Sequence, residues 1–220
     1  MKCYLKDQCK KFKDGVCNED RCGIQLLTTS AYNGSNIPKR YRKNIPLIHG
    51  QEEADAVKTL VEFKNNVLEH VENGDGLFIY SKNCGNGKTS WATKIARQYI
   101  IENAFKQKHE NLVYFVNVTD YLEMLRQSFN DKEANTKELE DILRTCDLLI
   151  LDDLGAEKPS EWVTERLYSL INYRINEEKS IIVTSNLTIT ELEIQLSDRI
   201  ASRLYGCCDI VTFTNEDRRK

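Results

Sequence analysis

Leu77-Phe78-Ile79-Tyr80-Ser81-Lys82-Asn83-Cys84-Gly85-Asn86-Gly87-Lys88-Thr89-Ser90 decides the reading of this chain. An apolar run is followed by a glycine loop and then by Lys-Thr at the start of a helical pattern. That order suits the phosphates of a nucleoside triphosphate. Glycines let backbone N–H groups turn inward without a side chain in the way, and the helix adds its positive dipole end. In such a loop Lys88 reaches the β/γ-phosphates and the Thr89 hydroxyl ligates Mg²⁺, so Asn83, Cys84, Gly85, Asn86, Gly87, Lys88, Thr89 and Ser90 form the candidate nucleotide cradle. The usual first glycine of the pattern is replaced by Lys82. A glycine–lysine pair in isolation can also be a surface turn, and the surrounding sequence has to decide.

Downstream, Leu148-Leu149-Ile150-Leu151-Asp152-Asp153 reads as a buried parallel strand ending in two acids. Ligands bind at the carboxyl ends of the strands in open α/β sheets. Asp152 is the candidate Mg²⁺ holder, and Asp153 the candidate for orienting or deprotonating a water. A third apolar run, Ser180-Ile181-Ile182-Val183-Thr184-Ser185-Asn186, ends in a polar cluster. Asn186 can donate and accept at once, to a γ-phosphate or to the water. Alone, Ser185 and Asn186 would read as a turn. Then Asp198-Arg199-Ile200-Ala201-Ser202-Arg203-Leu204 places two arginines four residues apart on one helix face. Such a pair is usually solvated, but it also suits a finger aimed at a neighbouring subunit's γ-phosphate.

The ordered set GNGKTS, LLILDDLGAEKPSEW, IIVTSNLT and DRIASRL resembles AAA+ helicase loaders of the DnaC/DnaI type and their IstB-like transposition relatives. Ile37-Pro38-Lys39-Arg40-Tyr41 resembles the linker that precedes the ATPase core in that family. Asp153, where most AAA+ proteins carry Glu, fits this branch. The resemblance covers about residues 37–214. It implies an ATPase using ATP and Mg²⁺ at subunit interfaces, slow and dependent on assembly, with Arg203 as the finger and Arg199 in support. It further implies a replicative helicase of the DnaB type as partner, self-association through the ATP site, and single-stranded DNA as a second ligand. Two other readings stay open: a transposition ATPase that binds duplex DNA, and a non-hydrolysing binding protein that keeps the ATP fold. A small-molecule kinase fits least, since no acceptor-binding insert is visible.

Composition narrows the classes. Formal net charge is −3, yet residues 1–50 carry 10 Lys/Arg against 4 Asp/Glu, leaving an acidic remainder. An acidic core argues against indiscriminate duplex binding, which needs a basic surface. No apolar run reaches membrane-span length, so the chain reads as cytoplasmic, without a membrane partner. Four of the 8 cysteines, Cys3, Cys9, Cys17 and Cys22, fall among polar residues at the N-terminus with spacing C-x₅-C-x₇-C-x₄-C. So little apolar material needs a staple, and in a reducing compartment structural Zn²⁺ on four thiolates suits better than disulfides. Redox-active or unpaired thiols are the alternative. Cys84, Cys146, Cys207 and Cys208 lack metal spacing, and Cys146 is expected in the core.

The expected organisation is a Cys-rich zinc module over 1–36, a linker over 37–50 and an AAA+ core over 51–220. The fold class is α/β: a P-loop core with a five-stranded parallel sheet between helices. With the chain ending soon after its last expected strand, no C-terminal helical lid is expected. Helices are predicted over about 51–72, 89–104, 137–145 and 160–178. A further helix between the second and third strands is expected to be capped by Thr119 or Asp120. A capping-box pattern at Thr190-Glu191-Leu192-Glu193 is expected to open the helix bearing the arginines.

Overall fold

The computed structural model describes residues 12–13, 16–17, 22–42, 50–106, 108, 110–128 and 135–214. In chain order, β1 (Phe12–Lys13) and β2 (Val16–Cys17) pair antiparallel, and α1 (Gly23–Gly34) leads to a 3₁₀ turn at Lys39–Arg42. A second 3₁₀ turn at Gln51–Glu53 precedes α2 (Ala54–Asn65) and α3 (Val67–Glu72). Then follow β3 (Gly76–Tyr80), α4 (Lys88–Phe105), β4 (Val113–Asn117), α5 (Val118–Ser128) and α6 (Asn135–Thr145). The last part is β5 (Leu148–Leu154), α7 (Glu161–Asn176), β6 (Ser180–Ser185), α8 (Ile189–Gln195), α9 (Asp198–Cys207) and β7 (Cys208–Thr212).

Strands β3 to β7 form one parallel sheet in the order β4-β5-β6-β3-β7. This is the five-stranded α/β architecture expected. The two-residue alternation of strand side chains divides the core cleanly. Leu77, Ile79, Leu148, Ile150 and Ile182 face a layer that includes Leu60, Phe63, Trp91 and Ile95 of α2 and α4. Phe78, Leu149, Leu151, Ile181 and Val183 face the opposite layer, with Tyr121, Leu143, Leu167, Leu192 and Ile200. Continuous apolar runs follow in β3, β5 and β6, which bury both faces, whereas edge strand β7 leaves Asp209, Ile210 and Thr212 exposed.

The segment after α1 closes one edge of the sheet. Phe115 N donates to Ser35 O at 2.8 Å, and Asn36 Nδ2 donates to Phe115 O at 3.0 Å. Edge strand β4 therefore has outer bonding groups occupied by the chain itself. Ala31, Tyr32 and Ile37 share the core cluster of α2 and α4.

Four local expectations are corrected. The capping box is two residues earlier, at Thr188 with Glu191, and it opens the short α8. The arginines ride on a separate helix, α9, because Ser197 breaks away in extended conformation and its hydroxyl caps Ile200 N. The cap of α5 is Asn117, whose Oδ1 accepts from the N–H groups of Thr119 and Asp120. The 51–72 stretch is broken at Asn66 into α2 and α3. Ser160 does cap α7, accepting from Val163 N.

Candidate functional site

The loop from β3 to α4 leaves an inner strand, between β6 and edge strand β7, and the chain then crosses to the far edge at β4. The loop therefore sits where connections diverge and a crevice opens. Gly85 and Gly87 have φ of 79° and 100°, the left-handed region that a side chain disfavours. Lys82 is exposed and lies outside that region, so glycine's freedom is not required there. Ser81 and Asn86 brace the loop from within, the Asn86 amide donating to Ser81 Oγ. Asn86 is 1% exposed, and its Oδ1 is buried without a hydrogen bond among the described residues. Cys84 is an exposed free thiol on the same loop, and Ser90 is half-buried.

Lys88 is buried, and its Nζ donates to Ser81 O (3.2 Å), Asn83 O (3.1 Å) and Asn186 Oδ1 (2.6 Å). Thr89 Oγ1 donates to Asp152 Oδ1 at 2.8 Å. The loop, the acidic strand end and the β6 strand end thus meet at one point. Burial pushes the Asp152 carboxyl above the usual carboxylate range, while hydrogen bonds from Thr184 and Thr89 pull it back.

Asp153 has φ of 60°, and the β5–β6 register shifts between Leu151 and Leu154. This irregularity swings the second acid out of the sheet, in a conformation Asp tolerates better than most residues. Its N–H donates to Thr184 Oγ1 at 3.0 Å, and Thr184 Oγ1 donates to Asp152 Oδ1 at 2.8 Å. One hydroxyl therefore aligns both acids. Neither Thr184 nor Ser81 stands out in the sequence as a site residue. For Thr184 the signal is a hydroxyl within the fully buried β6, which must find a partner.

Arg199 and Arg203 are not joined to this cluster. They line an open cleft of about 760 Å³ with Tyr168, Glu193, Asp198 and Tyr205. Arg199 is exposed and Arg203 half-buried, and neither guanidinium has a hydrogen bond or salt bridge among the described residues. Cys3 and Cys9, and the side chain of Cys17, lie outside the described residues, while Cys22 is a half-buried free thiol. Among the described residues no group of three or more His, Cys, Asp or Glu gathers to hold a metal. Among them, too, no helix is long and apolar enough to cross a membrane.

Residues 51–220 match the family of IstB-like ATP binding proteins. The chain belongs to that family. Its relatives include YqaM of Bacillus subtilis (strain 168), 29% identical over 140 residues, covering 61% of this chain and 41% of YqaM. The replicative helicase loader DnaI of the same organism is 30% identical over 121 residues, 54% of this chain and 36% of DnaI. This chain therefore spans less than half the length of either. The crystal structure of the DnaC helicase loader superposes with a TM-score of 0.66 at 25% identity, covering 80% of this chain and 99% of that one. The core of this IstB-like protein is accordingly a P-loop AAA+ fold. In this ATP-binding family the hard-oxygen pair Thr89–Asp152, the left-handed glycines and buried Lys88 are a donor set fitted to phosphate and Mg²⁺.

Proposed function

We propose that this chain is an ATP-dependent loader of a replicative DNA helicase of the DnaB type, hydrolysing ATP slowly and only when subunits are assembled. The observation that carries the proposal is the likeness to a helicase loader along 99% of that protein's solved chain. Sequence similarity to the loader DnaI supports it. Lys88 and the 83–90 loop would hold the phosphates of ATP, and Thr89 with Asp152 would hold Mg²⁺. Bound Mg²⁺ would neutralise charge on the phosphates as a Lewis acid. Asp153 and Asn186 would orient the attacking water, with Asp153 taking its proton.

Arg203, with Arg199 beside it, acts in trans. The exposed helix, its guanidiniums without salt bridges among the described residues, and the exposed Ile194 and Tyr205 nearby support a contact with a second copy. A finger supplied by a neighbour makes hydrolysis depend on docking. We further propose three parts: a partner-gripping module over 1–36 with zinc on Cys3, Cys9, Cys17 and Cys22, a linker over 37–50, and the ATPase core over 51–220. On this reading α1 anchors the module to the core. Single-stranded DNA would lie along the assembled subunits, and the protein would work in the cytoplasm.

The test is native mass spectrometry of the full chain with the DnaB-type helicase of its own host, with and without Mg-ATP. A complex weakened by Cys17→Ser and Cys22→Ser, with zinc in the bound mass, is the expected result. No complex, together with ATP-dependent binding to duplex DNA, would replace the loader with a transposition-type ATPase, the reading that the family's IstB-like members favour. For the finger, Arg203→Ala should keep ATP affinity and lose the rise of specific ATPase activity with protein concentration.

A further inference from the structure

Among the described residues the acidic strand end and the arginine helix share no direct polar contact, but α8 spans the gap and is fastened at both ends. At its start, Ser185 Oγ donates to Leu154 O (2.6 Å) and accepts from Leu187 N (3.0 Å). The turn that carries Asn186 into α8 is thus bonded to the end of β5. At its finish, Gln195 Nε2 donates to Gly155 O at 2.8 Å and lies 3.5 Å from Glu157 O. These are main-chain carbonyls of the loop that directly follows Asp152 and Asp153.

That loop has little room to slip past the helix. Gly155 has φ of 90°, and a Cβ there would meet side-chain atoms of Leu187 and Leu192 at 2.7 and 2.8 Å. Glu157 folds back so that its Oε2 accepts from Gly155 N at 3.0 Å, and the residue is only 6% exposed. Its other oxygen is buried without a hydrogen bond among the described residues. Beyond Gln195, Leu196 O accepts from Thr164 Oγ1 of α7 at 3.3 Å, and Ser197 caps α9. Two residues therefore separate the anchor from the helix that carries Arg199 and Arg203. A displacement of the 152–155 backbone has a bonded route to α9, through Gln195 and the Leu196–Ser197 turn.

Resting on the ATP-site reading above, we propose that Gln195 is a positioning residue that couples occupancy of the acidic strand end to the placement of α9. Each subunit would then present its arginines according to its own nucleotide, in addition to reading its neighbour's. Coupling of this kind is shown by a two-site response that a single substitution disconnects, not by adjacency alone.

Amide hydrogen exchange on the full chain, with and without Mg-ATP, tests this directly. In the wild type, Mg-ATP should slow exchange in 85–93 by about tenfold and change it in 198–207 by about threefold. In Gln195→Leu the first response should persist and the second should vanish. If Gln195→Leu folds poorly, Gln195→Glu serves instead, since it keeps the length but has no donor for the two carbonyls. A purely structural Gln195 would shift exchange in 198–207 equally with and without nucleotide, and that result overturns the proposal. So does an α9 response that survives the substitution, or one absent from the wild type. No protection of 85–93 by Mg-ATP would instead sink the ATP-site reading beneath it, and the two failures are distinct.

Discussion

Lys88 and Arg174 are the only Lys or Arg side chains buried among the described residues, and they sit at opposite ends of the sheet. Lys88 is where the strands end. Its ammonium reaches two carbonyls of its own loop and the Asn186 amide oxygen. Arg174, on α7, is where β5 and β6 begin. Its guanidinium donates to the main-chain carbonyls of Leu143, Arg144, Cys146, Asp147 and Ser180. The chemistry differs as the duties do. A compact ammonium on a glycine loop can exchange one acceptor for another, whereas a rigid fork across five carbonyls caps α6 and ties it to two strand starts. One end of the sheet is arranged to change partners and the other to keep them.

The largest expected effect tests the permanent end. Arg174→Leu leaves several buried carbonyls without a donor and should cost about 4 kcal/mol of folding stability, read from urea unfolding. Arg174→Lys should recover only part, since an ammonium cannot span the same carbonyls. Lys88→Ala should do the reverse, weakening Mg-ATP binding on the order of a hundredfold (~3 kcal/mol), with a stability change of about 1 kcal/mol or less. Calorimetric titration and unfolding on the same samples would check both. Equal urea midpoints for Arg174→Leu and Lys88→Ala would end the contrast.

Asp152 sharpens it further. Burial raises its carboxyl pKa in the folded chain, so the folded state holds the proton more tightly than the unfolded state. The ionised group costs nothing well below the usual carboxylate range. The cost grows as pH rises through the raised value and is complete above it. Asp152→Asn should therefore raise Tm at neutral pH by more than it does near pH 4, while Mg²⁺-dependent nucleotide binding falls. A Tm difference that shrinks as pH rises would contradict this. The smallest effect is backbone strain at Asp153. With φ of 60°, Asp153→Val should destabilise by about 1–2 kcal/mol and Asp153→Gly by little or nothing. Urea midpoints compare the two.

Much of the site's vicinity was legible because it rests on local order. A buried parallel strand must be a continuous apolar run, so β3, β5 and β6 announced themselves, and the residues just past their ends were the candidates. The helix boundaries after β6 were less legible. Thr188 and Thr190 both precede a glutamate at suitable spacing, and only backbone geometry selects Thr188 and then lets Ser197 start a second helix. Arg174 was not legible at all. On a helix that also carries Glu161, Glu165 and Arg166 its side chain reads as solvated, and nothing nearby in sequence foretells five carbonyls brought from α6, the α6–β5 turn and β6.

Local patterning along the chain dictates that strands and helices alternate, that a glycine loop opens a helix after one strand, and that acids end another. Those are properties of short stretches, set by side-chain periodicity and by the conformations glycine permits. Tertiary structure alone decided that the Thr184 hydroxyl bridges both acids, that Asn186 meets Lys88, and that Gln195 reaches back across α8 to the loop after Asp153. Each of these joins groups from different strands or from opposite ends of a helix. Their meeting depends on strand order and register, which no single stretch of the chain encodes.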